Sequence, residues 1–151
     1  MSSVALRASE REVAFEEVLA VRDAATDERR RAELERLADA IHAQAVPDEL
    51  APLLERIVDL GLQSGRIRAL YGPGGEQAAL RLHRRLPGGE QAEASAREVT
   101  AALAALRGRV LDEVSVAVVG PGAFTVSLAA DGLELSVRLD ANGARLASVG
   151  T

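Results

Sequence analysis

The sequence predicts an α+β protein. Helices over about 9–45 and 48–61, with a further helix over about 90–107, should pack on one face of a four-stranded antiparallel meander over about 110–149. Three observations lead there. Apolar residues recur every three or four positions through the first part of the chain. After residue 110 the pattern switches to strict alternation, broken by Gly120-Pro121-Gly122, Asp131-Gly132 and Asn142-Gly143. Finally, 48% of the residues are apolar but only 2% are aromatic, so the core is aliphatic and close-packed.

The first helix begins near Ser9. Ser9 and Glu12 have capping-box spacing, in which each side chain satisfies an amide of the first turn. Val13, Val18 and Val21 come next at helical spacing. Thr26-Asp27 is a candidate break, with Thr26 or Asp27 capping a second segment. Leu34, Leu37, Ala38 and Ile41 then form a narrow stripe between charged faces. Such a stripe suits a helix lying against another helix, including one from a second copy, so Leu34, Leu37 and Ile41 are the candidate self-association residues. Residues 1–46 read as a helical extension that self-associates, and 47–151 as the α+β domain.

Asp48 is placed to cap the third helix, with Pro52 in its first turn and Gly61 and Gly65 as its stop. The segment 66–88 admits two readings. Arg66 to Tyr71 alternates like a strand, and Gly72-Pro73-Gly74-Gly75 turns the chain. Beyond that turn lies either a helix from Glu76 to Leu86 or the second strand of a hairpin; propensity favours the helix. Over 90–107, Ala92, Ala96, Val99, Leu103 and Leu106 share one face, Glu93 and Arg97 are spaced to pair, and Gly108 is a suitable C′ residue. In the last segment Val114, Val116 and Val118, then Phe124, Val126 and Leu128, then Leu133, Leu135, Val137 and Leu139 alternate with polar or small residues. One face of that sheet is apolar and needs helical cover.

The chemistry available is narrow. The chain has no cysteine and no lysine, and its only histidines are His42 and His83. Thiol nucleophiles, disulfides, Schiff bases and a P-loop lysine are excluded. The two histidines belong to different segments and lack any H-x-x-x-H spacing, so no metal site or cofactor is expected. Gly72 to Gly75 fails the dinucleotide pattern, because Gln77 stands where the third glycine belongs. No nucleophile elbow occurs, and adjacent acid pairs such as Glu16/Glu17 point apart. No catalytic residue is named, and the balance leans away from an enzyme.

All 18 basic residues are arginine, which with the abundant Ala, Gly and Leu fits GC-rich bacterial coding. The net charge is −5, yet residues 64–88 carry five arginines against one acid. Arg66, Arg68, Arg81, Arg84 and Arg85 are therefore the candidate anion-binding set. The acidic whole argues against nucleic acid as a partner. The N-terminus shows no secretory apolar segment and no stretch suits a membrane span, so a cytoplasmic location is the expectation.

In the order of their elements, helices leading to a further helix and four antiparallel strands, the chain resembles the NTF2-like cone fold. That resemblance implies a ligand or substrate cavity between helix and sheet. The sequence thus supports three functional expectations. The first is a non-enzymatic interaction or regulatory module, homodimeric through its N-terminal helices. The second is a small-molecule-binding protein or enzyme with an NTF2-like cavity. The third is an anion or nucleic-acid binder using the arginine cluster.

Overall fold

The structure, a computed structural model, describes residues 2–151. It is α+β, with five helices preceding a four-stranded antiparallel sheet. The chain forms two compact units, one ending at Glu90 and the other starting at Gln91. No described helix is long and apolar enough to cross a membrane.

The first unit is built from α1 (Ala8–Ala24), α2 (Glu28–His42), α3 (Ala51–Gln63) and α4 (Arg66–Arg85), with a two-stranded ribbon of β1 (Ser3–Ala5) and β2 (Ala45–Pro47). The expected helix over 9–45 is thus two helices. Asp27 caps the second, its carboxylate accepting the Arg29 amide at 3.2 Å. The first cap lies two residues earlier than expected. The helix already runs through Ser9, and the Arg7 amide donates to the Glu10 carboxylate at 3.0 Å. Asp48 does not cap α3; Leu50 occupies that place, and Pro52 sits in the first turn. The ribbon pairs Ser3 with Pro47 and Ala5 with Ala45, and its three-residue strands are too short to show a periodicity.

Residues 66–71 are helical, not a strand. α4 is broken at Gly72, whose φ of +70° is left-handed, and Pro73 opens the second half. The alternation of Arg66 to Tyr71 is outweighed by burial of Ile67 in the helical core.

That core contains Val13, Ala14 and Val18 of α1, Leu34, Leu37 and Ile41 of α2, Leu54, Ile57 and Val58 of α3, and Ile67 and Leu82 of α4. α1 and α2 share this core with α3 and α4, and the compact units divide after Glu90. The α2 stripe is satisfied within the chain. Gly61 does not stop α3 but permits a close approach, since a Cβ there would lie 2.6 Å from Ile67 Cδ1 and 3.3 Å from Glu17 Oε2. Ile67 is fully buried and cannot swing away. Gly61→Ala is therefore expected to destabilise the protein by about 1–3 kcal/mol in chemical denaturation, overcoming alanine's advantage of roughly 1 kcal/mol in a helix.

The second unit contains most of α5 (Pro87–Leu103), a short 3-10 turn over Ala104–Leu106, and strands β3 (Glu113–Gly120), β4 (Ala123–Ala130), β5 (Leu133–Asp140) and β6 (Gly143–Gly150). The strands pair in sequence order, all antiparallel. Gly108, at φ +77°, lets the chain leave the helical turn. The register places Val116, Val126 and Val137 side by side, as it does Val114, Leu128 and Leu135. Val99 of α5, with Ala102 and Leu103, covers Leu135 and Val137. Glu93 and Arg97 lie 3.9 Å apart on its exposed side.

Candidate functional site

The five arginines of 66–85 do not converge. Both carboxylate oxygens of Glu17 accept from Arg66 Nε, at 3.1 and 3.2 Å. Arg68 pairs with Glu76 at 3.5 Å. Arg85 pairs with Glu10 and donates to the Ala5 carbonyl at 2.6 Å. Only Arg81 and Arg84 form no ion pair among the described residues. Three of the five charges are neutralised within the helical unit, and Gly72 to Gly75 form a helix break rather than a phosphate cradle. Leu34, Leu37 and Ile41 are fully buried, so they present no surface to a second copy.

Two acids that sequence reasoning does not single out sit in the core: Glu10 and Glu17 are 1% and 3% exposed. Their positions fall on the same face as Val13, Ala14 and Val18, and a carboxylate inside an apolar stripe is the signal that could have exposed them. Tyr71 donates its hydroxyl to Glu17 at 2.8 Å. Desolvation by burial, then the Glu17 carboxylate, push the Tyr71 hydroxyl well above its ordinary value. Tyr71 is thus held protonated and Glu17 has both oxygens engaged, which makes the trio a clamp tying α1 to α4. Glu10 joins the helix start to Arg85, and its Oε1 is buried without a partner.

A second polar group lies on α3 and α4. Glu55 and Asp59 are one turn apart, and His83 Nε2 lies 2.6 Å from Asp59 Oδ1. A donor atom from each of the three residues lies within 4.8 Å of the others, all partly buried.

On the sheet, the polar positions serve structure. Asp140 holds the β5–β6 turn: its carboxylate accepts the Asn142 amide at 2.9 Å and pairs with Arg145 and Arg138. The Asn142 amide, then Arg145 and Arg138, hold the Asp140 carboxyl below its ordinary range. The stability it contributes is present above the ordinary Asp value and is lost as pH falls through the lowered one. Beside α5 an open groove of about 400 Å³ is lined by Thr100, Leu103, Leu106, Arg107, Arg109 and Leu128, among others, with no carboxylate or histidine in its wall. This is not the enclosed polar hollow an NTF2-like site would require.

The apolar face of the sheet is only partly roofed. On β3 Val114, Val116 and Val118 are 58, 65 and 75% exposed. β3 is an edge strand, paired only with β4, and no residue from Val114 to Val119 is charged. The other edge, β6, carries Arg145 and has a register irregularity opposite Ser136/Val137. Charges and bulges are the devices that discourage edge-to-edge pairing, and between Val114 and Val118 β3 has neither.

The chain matches no family model, no curated protein and no solved structure.

Proposed function

We propose that the protein is a non-enzymatic interaction module that self-associates through β3. The observation that carries this reading is the exposed valine row on the uncharged Val114–Val118 stretch of a free edge. A contiguous apolar strip of this kind marks an interaction surface. A second copy is the occupant that fits it best, because the strand is self-complementary. Antiparallel pairing of two copies about Val116 sets Val114 opposite Val118 and Ser115 opposite Ala117. Each strand then meets its own sequence under a two-fold axis, the isologous arrangement of a closed dimer. Facing valines approach to about 5 Å, with no like charges opposed. A charged partner, nucleic acid included, gains nothing from such a strip. A bacterial origin accompanies this reading, supported by the all-arginine, GC-type composition.

The test is sedimentation of the wild type and Val116→Glu, with circular dichroism confirming that both are folded. The wild type should be dimeric. Val116→Glu should be monomeric, since pairing would bring two carboxylates together at the axis. The reading fails if the wild type is monomeric up to about 1 mM, where an association of only ~4 kcal/mol would show, or if the variant dimerises equally well.

A further inference from the structure

We infer that Glu55, Asp59 and His83 form a binding site for a divalent transition-metal ion on the α3–α4 face. Glu55 and Asp59 are spaced i and i+4 on α3, which puts both carboxylates on one side of the helix. His83, in the last turn of α4, brings its Nε2 to the same point. The three donor atoms lie within 4.8 Å of one another. A zinc ion holding nitrogen and oxygen at about 2.0–2.2 Å separates neighbouring tetrahedral ligands by roughly 3.3 Å. The Asp59–His83 distance of 2.6 Å needs only to open slightly, and the Glu55 carboxylate to move inward.

Charge favours the same conclusion. Glu55 forms no ion pair or side-chain hydrogen bond among the described residues, although it is partly buried. Among the described residues no arginine balances Asp59 either, and its only ionic partner there is the imidazole. Two carboxylates this close repel, and a cation bound between them relieves that repulsion, as a shared proton also would. One imidazole and two carboxylates suit zinc and neighbouring divalent metals better than calcium or magnesium, which prefer oxygen alone. Three protein ligands leave a fourth position to solvent.

The experiment is a zinc titration of the full chain without an affinity tag, followed by calorimetry and by the imidazole resonances. The sequence helps, because His42 is the only other histidine. One equivalent of zinc should bind, the His83 ring signals should shift, and those of His42 should stay in place. His83→Ala and Glu55→Gln should each weaken binding at least tenfold, while His42→Ala leaves it unchanged. The proposal is overturned if the His83 signals do not move at about 1 mM zinc, where even an affinity of ~4 kcal/mol would register, or if His83→Ala binds as tightly as the wild type. Sedimentation of the zinc-free protein keeps this outcome separate from dimerisation through β3.

Discussion

Leu37→Ala is expected to lower the stability of the helical unit by about 2–5 kcal/mol. Leu37 is fully buried in a core to which all four helices contribute, so truncation leaves a hole in it. The informative readout is amide exchange in α3 and α4. If α1 and α2 belong to the same core, protection in α3 and α4 falls together with that of α2. A self-standing N-terminal extension would leave Ile57, Val58 and Leu82 as protected as before. Leu37→Ala should also leave the sedimentation of the folded protein unchanged, because the residue is inside the chain.

Glu17→Gln is the second large effect. The substitution preserves volume but removes the charge that Arg66 and Tyr71 share. Losing a buried, charge-assisted network costs about 1–3 kcal/mol, with Arg66 partly rescued because half of its side chain reaches solvent. The alkaline limb of stability reports on the same clamp. The Tyr71 hydroxyl is raised in the folded protein, so above its ordinary value near 10 the unfolded chain releases this proton while the folded one keeps it. Folding then takes up a proton, and stability falls as pH rises through that window. Tyr71→Phe should flatten the fall. An identical alkaline slope in wild type and Tyr71→Phe would show that the hydroxyl is not held in this way.

The parts of the fold that are legible in the sequence are those whose causes are local. The sheet can be read directly, since alternation in Phe124 to Leu128 and Leu133 to Leu139 and the glycine turns between strands act over a few residues. The Asp27 break is equally local, resting on one side chain and an amide two residues away. The rest depends on distant partners. Glu17 meets Arg66 and Tyr71 across separations of 49 and 54 residues. Nothing near Glu17 announces them, and Arg66 to Tyr71 taken alone looks like a strand. The narrow Leu34–Ile41 stripe reads as a surface for a second copy because a stripe specifies that it needs a partner without specifying which. Likewise, His83 looks isolated in the sequence because Glu55 and Asp59 come to it from another helix.

Whether β3 is the meeting place of two copies is decided most directly by amide hydrogen exchange along Val114–Val119, measured at increasing protein concentration. The β3 amides turned away from β4 should exchange freely in dilute solution and become protected as the chains associate, approaching the protection of the β4–β5 ladder. Exchange of those amides at an unprotected rate at every concentration would show that the β3 edge stays open and that the valine strip is not an interface.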